Sequence, residues 1–450
     1  MGYLKNTVRL KNSPDAWKTS FAAILIAETL AMAGFALSMP VIPLFLQDDI
    51  GIADQRTLKL WVGVIQSAAA VTLAIFAPIW GHLADVYSRR MMLLRAMFGG
   101  AVIVSLMALV QSPWQLLALR AIQGCLTGTI AAATVLTAGI APAAKIALAL
   151  GLLQTGIATG NSIGPLIGGV VSDFLGHRLA FLSTGVVLAL AGVIVLKWVE
   201  DDHHPRKKPG GVSTGHAPIR SKNDRTASPR PVTVAGRPPA KRARNSIFPD
   251  IKPILASPVL VIMMMVTFIL HAANSIAAPM LPLFLKELAL KSLPPAGGLA
   301  GSPQYIGSST GIVLGVGAAA GAIAAAVVGK YSTKFGYWRT LIFCLTAGAI
   351  LTVPQAFVAN MTQLAIFRAL SSFFVGGSMP VLNAIIATST EKEHQGSVYG
   401  FNSSVSSAGG ALGPMIGSAV AMVNYRAVFL ATALFLGAAA WGTIRRRQKL

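Results

Sequence analysis

The stretch that decides the fold is residues 151–169, GLLQTGIATGNSIGPLIGG, which holds glycine and proline inside a run without a charged side chain. Its motif positions are Gly151, Gly160, Gly164, Pro165 and Gly168. Gly160, Gly164 and Gly168 recur every four residues, so they share one face of a helix and let a second backbone approach closely. Membrane helices tolerate such glycine and proline because neighbouring helices satisfy the freed backbone groups. The stretch therefore predicts a transmembrane helix with a close packing face and a bend at Pro165.

The same pattern occurs a second time at residues 400–417, GFNSSVSSAGGALGPMIG. The two copies share one offset, since 400 − 151 = 249 and 414 − 165 = 249. Nearer the start of each half, PVIPLFL at residues 40–46 is echoed by PMLPLFL at 279–285, at an offset of 239. The chain is therefore predicted to be an internal repeat of two halves in parallel orientation.

The composition points to the membrane before any motif is considered. Of the 450 residues, 54% are hydrophobic and only 12% are charged, and the mean hydropathy is +0.65. Such a chain has too much apolar surface for a soluble domain. Cys125 and Cys344 lie in apolar runs, which suggests neither a disulfide scaffold nor a metal cluster. The sequence has no P-loop, paired catalytic carboxylates or His/Cys metal spacing, so we expect neither an enzyme nor a cofactor.

Apolar runs of about 20 residues, the length that crosses a bilayer, predict an all-α polytopic membrane protein with twelve transmembrane helices in two pseudo-symmetric six-helix bundles. The runs lie near residues 19–46, 60–83, 91–111, 113–138, 146–172, 178–199, 256–285, 305–331, 338–358, 361–388, 395–422 and 426–444. The predicted organisation is a cytoplasmic N-terminal tail 1–18, a bundle 19–199, a basic disordered cytoplasmic linker 200–255, a second bundle 256–444 and a basic cytoplasmic tail 445–450.

The positive charge is distributed unevenly along the chain, whose formal net charge is +22. Lys and Arg gather in the N-terminal tail, after the second and eighth runs, in the linker and at the C-terminus, all on one side of an alternating topology. By the positive-inside rule both termini and the linker are cytoplasmic, and the protein is expected in the inner (plasma) membrane. No aromatic residues interleave the basic ones in the linker, so we expect contact with anionic lipid and not with nucleic acid.

A second motif, GHLADVYSRR at residues 81–90, follows the second apolar run. A carboxylate and paired arginines at a membrane boundary can form an ion pair that holds two helix ends in one arrangement. The predicted cytoplasmic gate comprises Gly81, Asp85, Arg89 and Arg90. Its counterpart, GKYSTKFG at residues 329–336, keeps the glycines and lacks the acid, so such a latch is present in one half only.

Three stretches in order now carry a family resemblance: GHLADVYSRR, Arg120 within LRAIQG, and the Gly-Pro stretch. They resemble the three successive signatures of the major facilitator superfamily, and the third resembles the motif of its drug:proton antiporters. Within that superfamily the chain looks like the twelve-span bacterial single-component multidrug exporters, including the tetracycline and fluoroquinolone types. The resemblance implies two six-helix bundles around a central cavity with alternating access. It also implies that Asp85 and Arg89 belong to a cytoplasmic gate, that Arg120 serves proton coupling, and that Gly164 and Pro165 shape an export-type fifth helix.

Ionisable residues inside apolar runs point to function independently of the family, because each costs about 2.5 kcal/mol or more in hydrocarbon. Glu28 lies in the first run and is the candidate, with Arg120, for proton coupling; the alternative is a structural ion pair between the two. An ionised Glu28 would also attract a cationic compound. His271 corresponds to Met32 under the 239 offset, so Glu28 and His271 are expected to face one central cavity. Candidate cavity residues are Phe35, Gln66, Gln154, Asn161, His271, Asn274 and Asn402.

These patterns together predict proton-coupled efflux of small amphipathic compounds or drugs, by a chain that acts as a monomer in the bilayer. The alternatives are a facilitator or proton symporter of a small metabolite such as a sugar, and a membrane sensor that does not transport. Whether His271 and Arg368, the repeat partner of Arg120, take part in transport stays open.

Overall fold

The computed structural model describes residues 16–86, 88–142, 145–199, 257–291, 305–391 and 395–447, and these are helical apart from short connections. The predicted linker 200–255 and nearly all of the predicted N-terminal tail lie outside the described residues. The helices of the first half are α1 (Ala16–Leu37), α2 (Val41–Asp48), α3 (Gln55–Val86), α4 (Arg89–Met107), α5 (Pro113–Leu126), α6 (Thr129–Ile140), α7 (Ile146–Leu175) and α8 (His177–Trp198). The helices of the second half are α9 (Pro258–Ala277), α10 (Leu281–Lys291), α11 (Ile306–Phe335), α12 (Tyr337–Thr352), α13 (Met361–Thr388), α14 (Gln395–Val423) and α15 (Tyr425–Arg447).

Within the described residues, ten helical segments are long and apolar enough to cross a membrane. The segment Trp17–Asp48 joins α1 to α2, and Pro258–Leu290 joins α9 to α10. The predicted span 113–138 is not one helix, because the chain breaks between α5 and α6 at Gly128, whose φ is +121°. α7 is a helix of 30 residues but is not among the ten. The all-helical membrane fold is confirmed, whereas the number twelve stays a prediction.

Helix packing repeats between the halves. In the first half α1 packs against α7 and α8, α3 against α5, and α4 against α8. In the second half α9 packs against α14 and α15, α11 against α13, and α12 against α15. Each pair in one half has its equivalent in the other, as the sequence offsets predict. The halves meet mainly along two further pairs, α7 with α11 and α3 with α14.

The glycines of α7 lie directly against the backbone of α1. A Cβ atom at Gly164 would collide with the carbonyl oxygen of Ala33, and equivalent collisions occur one turn before and one turn after. The colliding pairs are Gly160 with Thr29 O, Gly164 with Ala33 O, and Gly168 with Leu37 O. Only residues without a Cβ permit this approach, so the glycine column sets the separation of α1 and α7.

The second half repeats that contact with the two offsets read from the sequence. α14 presents its glycines to carbonyl oxygens of α9, in the pairs Gly409 with Phe268, Gly413 with Ala272, and Gly417 with Ile276. The glycines obey the 249 offset (160 + 249 = 409) and the carbonyls the 239 offset (29 + 239 = 268). The different offsets therefore reflect one preserved helix contact.

Aromatic packing shows the same equivalence. The rings of Phe45 and Phe181 meet edge to face with their centroids 5.2 Å apart. Phe284 and Phe429 hold the same arrangement in the second half, also at 5.2 Å. Edge-to-face contacts of this kind add to the burial of the rings. The predicted repeat is thus present in the buried core of both halves.

We expect Gly164→Ala to destabilise the protein, because even one methyl group must push α1 and α7 apart, at an overpacking cost of about 1–3 kcal/mol. The measurement is the melting temperature of the purified protein in detergent. Gly151→Ala is the matched control from the same motif, since a Cβ there meets no atom within 4 Å. Equal melting temperatures for the two variants would contradict a packing role for Gly164.

Candidate functional site

Two cavities lie between the halves, and they are adjacent because both are lined by Met39 and Asn274. The first cavity has a volume of about 290 Å³ and is bordered mainly by α7, α11 and α13. The second has a volume of about 300 Å³ and is bordered mainly by α3, α9 and α14. Polar or proline residues lining the first are Asn161, Pro165, Asn274, Arg368 and Ser372, and those lining the second are Gln66, Asn274, Ser275, Pro279, Ser407 and Pro414.

The predicted cavity residues divide into two groups. Gln66, Asn161 and Asn274 line the described cavities, and Pro165 of the Gly-Pro motif lies beside Asn161. Phe35 does not line them, because its ring packs against α4, where a Cβ at Gly100 would lie 3.2 Å from the ring. Gln154 is exposed on α7, two turns before Asn161, and is not in either described wall.

His271 and Asn402 meet around Thr267 inside the second half. The ring Nδ1 of His271 lies 2.9 Å from the carbonyl oxygen of Thr267. The hydroxyl of Thr267 donates to Asn402 Oδ1 at 2.9 Å. Neither His271 nor Asn402 lines the two described cavities. The contact of His271 with Thr267 lies within α9, whereas the hydrogen bond of Thr267 to Asn402 joins α9 to α14.

Glu28 is fully buried in α1, with 0% of its surface exposed. Its Oε1 accepts a hydrogen bond of 2.9 Å from the hydroxyl of Thr129, and its Oε2 has no hydrogen-bond partner among the described residues. Thr129 is the first residue of α6, directly after the break at Gly128. Glu28 and His271 line neither of the two described cavities, so the expectation that they face a common cavity stays a prediction. The carboxyl points instead at a helix start within its own half.

Thr129 was not singled out by the sequence, although a signal existed. Glycine in an apolar run is a common place for a helix to change direction, because it adopts positive φ without steric cost. Broken helices at membrane depth occur where the backbone is buried in protein. The start of α6 carries unsatisfied N–H groups and the positive end of a helix dipole, which favour a nearby negative charge.

Arg120 is bound by two glutamines and not by Glu28. Its Nη1 donates to Gln123 Oε1 and its Nη2 to Gln66 Oε1, both at 2.8 Å. The side chain is nearly closed off, with Arg120 7% exposed. A structural ion pair with Glu28, the alternative for both residues, is therefore not formed among the described residues. Gln66 links Arg120 to the wall of the second cavity.

The predicted gate is only partly described. Arg89 begins α4, and Arg90 Nη2 donates to the carbonyl oxygen of Leu196 at 2.5 Å. The side chains of Gly81 and Asp85 lie outside the described residues, so the predicted ion pair stays a prediction. The sequence did not single out Arg95, whose guanidinium lies 3.4 Å from the ring centroid of Trp80.

The halves close together at one end, which we call the Asp48 end and define by Asp48, Lys59, Asp173 and Lys286. Asp173 at the end of α7 accepts backbone hydrogen bonds from Gly307 and Ser308 at the start of α11, at 2.9 and 2.6 Å. Nearby polar contacts across the halves are Lys286 Nζ with Asp48 Oδ1 at 2.7 Å, and Lys59 Nζ with Ala421 O at 2.9 Å. At the same end, hydrogen bonds from Thr57 hold the pKa of the Asp54 carboxyl below its usual value.

Near the opposite ends of the motif helices, one glycine position in each helix has open space beside it among the described residues. A Cβ at Gly151 in α7, or at its equivalent Gly400 in α14, would meet no atom within 4 Å. Pro165 and Pro414 line the cavities at mid-helix, and the contacts of Asp173 and Ser418 lie beyond them. The cavities are therefore sealed towards the Asp48 end. At the starts of α7 and α14, by contrast, the space beside Gly151 and Gly400 is open.

A comparison with known protein families identifies the class. The chain matches the family model described as Major Facilitator Superfamily over residues 24–354 and 263–449. With two repeated helical halves around central cavities, the chain belongs to the Major Facilitator Superfamily. It is a multi-pass membrane transporter and not an enzyme.

Curated relatives are similar along nearly the full length. The chain is 30% identical over 427 residues to Multidrug resistance protein MdtG of Proteus mirabilis (strain HI4320), covering 95% of each chain. It is 32% identical over 425 residues to the protein of the same name from Enterobacter lignolyticus (strain SCF1), covering 94% of this chain and 91% of that one.

Solved structures share the fold at low identity. One is a bacterial homologue of the human lysosomal transporter Spinster, inward-facing and occupied, with a TM-score of 0.73, 13% identity and 98% coverage of both chains. Another is the nucleoside transporter NupG, with a TM-score of 0.71, 11% identity, and coverage of 94% of this chain and 98% of that one. These likenesses establish the fold alone.

We expect Asp173→Asn to favour opening of the Asp48 end, because the neutral amide loses charge-assisted hydrogen bonds worth about 1.5–3 kcal/mol each. The distance between spin labels at Leu109 and Phe357, exposed residues of the two halves at this end, measures the opening in a background without Cys125 and Cys344.

Asp49→Asn is the control for that experiment, since Asp49 lies at the same end but pairs with His177 and Arg178 inside the first half. The distance distribution should broaden to longer values in Asp173→Asn only. An unchanged distribution would remove Asp173 from the closure.

Proposed function

We propose that the protein exports small amphipathic compounds or drugs across the inner membrane by proton-coupled antiport with alternating access. The observation that carries this proposal is Glu28, a buried carboxyl of α1 with one oxygen hydrogen-bonded to Thr129 and the other without a partner in the described part of the chain. The names of the relatives support the drug as cargo, and the repeated fold supports alternating access. The protein would work as a monomer, with the proton gradient as its energy source.

Glu28 is suited to bind and release a proton because two features of its surroundings favour opposite protonation states. Burial away from water favours the neutral, protonated carboxyl. The Thr129 hydroxyl and the start of α6 favour the ionised carboxylate. A modest movement of α1 relative to α6 changes the balance between the two forms. Proton loading would therefore be tied to the helix movement that exposes the cavity.

Arg120 is proposed to connect that proton site to the substrate. Gln66 accepts a hydrogen bond from Arg120 and also lines the second cavity. A substrate that competes for the Gln66 amide would disturb the hydrogen bonds of Arg120. Since the charge of Arg120 has no carboxylate partner among the described residues, a change in its position alters the electrostatic field inside the first half.

The orientation predicted from Lys and Arg places the Asp48 end towards the periplasm. The sealed Asp48 end, together with the open space beside the starts of α7 and α14, would then correspond to an inward-facing state. An exporter loads its cargo in this state. The motif of Gly81, Asp85, Arg89 and Arg90 is proposed to close the cytoplasmic side after the halves rock. The motif glycines of α7 and Pro165 would carry the movement of the fifth span.

We expect Glu28→Gln to abolish proton-driven efflux, because the amide keeps the size of the side chain and cannot titrate. The assay is uptake of a fluorescent amphipathic compound into everted vesicles, with proton movement followed by a pH-sensitive dye. Glu28→Asp is the control that keeps a titratable carboxyl, and it should retain partial activity. Full proton-coupled transport by Glu28→Gln across the pH range would exclude Glu28 from the mechanism.

The same assay separates the alternatives. Proton and compound moving in the same direction would favour a symporter, and no transport of any compound by protein present in the membrane would favour a sensor. Loss of efflux on adding a protonophore is expected for the antiporter.

We expect Thr129→Val to move the pH profile of transport upwards by about one unit. Its hydroxyl stabilises the ionised form of Glu28, and a hydrogen bond to a charged group is worth about 1.5 kcal/mol, where one pH unit corresponds to about 1.4 kcal/mol. Losing it leaves the protonated form favoured up to higher pH. Thr129→Ser keeps the hydroxyl and should keep the profile. Identical profiles for Val and Ser would argue that the hydrogen bond has no part in proton release.

A further inference from the structure

Arg368 lies on α13 in the wall of the first cavity. No hydrogen bond or ion pair of its guanidinium is formed with any of the described residues. It is partly buried between the two halves, where water is restricted. A guanidinium in such a place is costly unless a negative or strongly accepting group faces it.

The equivalent arginine of the first half, Arg120, shows how such a guanidinium can find hydrogen-bond partners. Arg120 donates to two glutamines and is closed off inside its own half. Gln123 stands three residues after Arg120, and Ser371 stands three residues after Arg368. Ser371 is turned away from the guanidinium, because its hydroxyl donates to the carbonyl oxygen of Arg368 at 3.2 Å and accepts from Gln355 at 2.8 Å. The two halves therefore use equivalent arginines differently.

A second hydrogen-bond donor, Ser372, lies beside Arg368 in the cavity wall. Ser372 lies one turn further along α13 and lines the same cavity. Both side chains pass over Gly317 of α11, where a Cβ would lie 3.1 Å from Ser372 Oγ and 3.2 Å from Arg368 Cγ. The missing side chain at position 317 leaves room for them. Asn161 and Asn274 face the same space with amide groups.

The charge of the cavities is one-sided. Among the described residues that line either cavity, Arg368 is charged and no carboxylate is present. Glu28 is buried in the first half and lines neither cavity. The missing counter-charge would therefore come from the bound compound. Arginine matches planar two-oxygen groups through paired hydrogen bonds.

We propose that Arg368 and Ser372 bind an anionic group of the transported compound, so that the substrate class is amphipathic carboxylates and related anions or zwitterions. The inference rests on the proposed function for its transport consequence, while the anion site itself is a binding property. It differs from the expectation that an ionised Glu28 would attract a cationic compound. The apolar part of the compound would lie towards Met39 and Leu314 in the same cavity.

The test uses one fluorescent compound in two charge forms, dansyl-phenylalanine and its neutral amide. Binding to the purified full-length protein in a non-ionic detergent is measured by fluorescence titration. The wild-type protein should bind the carboxylate about tenfold more tightly than the amide, which corresponds to about 1.4 kcal/mol. Arg368→Gln should remove this preference and leave binding of the amide unchanged.

Arg339→Gln is the matched control, because Arg339 is an exposed arginine at the start of α12 in the same half and its loss changes the net charge equally. This variant should keep the preference. If Arg368→Gln fails to fold, Arg368→Lys decides: it keeps the charge but loses the paired geometry, so the preference should fall several-fold. An unchanged preference in that variant would overturn the proposal.

Three further results would overturn the anion site: equal binding of both forms by the wild-type protein, a preference that survives Arg368→Gln, or an equal loss of both forms in that variant.

Transport of the two compounds into proteoliposomes with a proton gradient is measured in parallel. Charge-selective binding without proton-driven transport would refute the proposed function and leave the anion site standing. Proton-driven transport without charge-selective binding would refute the anion site and leave the proposed function standing.

Discussion

The contact of α7 with the backbone of α1, made possible by three glycines, sets the geometry on which the rest of the structure depends. Because Gly160, Gly164 and Gly168 face α1, the remaining faces of α7 have fixed directions. Asn161 and Pro165 then line the cavity, and Asp173 reaches the start of α11 in the other half. A single helix face thus determines where the cavity lies and where it is sealed, and the second half repeats the arrangement through α14 and α9.

α1 connects this scaffold to the proposed proton site. It carries Glu28 on one side and receives the glycines of α7 on another, so its position is constrained by both. The break at Gly128 places the hydroxyl of Thr129 against the carboxyl. A carboxyl held between a helix start and a tightly packed neighbour responds to small displacements, because hydrogen-bond energies fall steeply with distance and angle. The two arginines at equivalent positions have different surroundings, because Arg120 has hydrogen-bond partners within its own half and Arg368 faces the cavity.

Much of the fold could be predicted from the sequence, because the motif copies and their offsets are local patterns of glycine, proline and apolar residues. The helix contact of Gly164 and the pairing of Phe45 with Phe181 follow those offsets into the second half. The partners of the polar groups could not be predicted in this way. Gln66 and Arg120 are 54 residues apart, and Thr129 meets Glu28 from 101 residues away. Periodicity shows which face of a helix a side chain occupies, whereas its partner depends on how helices approach one another.

The seal at the Asp48 end combines apolar packing, in one cluster that includes Leu46 and Leu288, with polar contacts at the rim such as those of Asp173 and of Lys286 with Asp48. When this end opens, water takes the place of each lost partner, and each charge-assisted hydrogen bond is worth about 1.5–3 kcal/mol. A seal of the same size made only of apolar side chains would resist hydration and hold the protein in one state. The polar part of the seal is therefore the part whose partners water can replace, and this replacement lowers the cost of opening the Asp48 end.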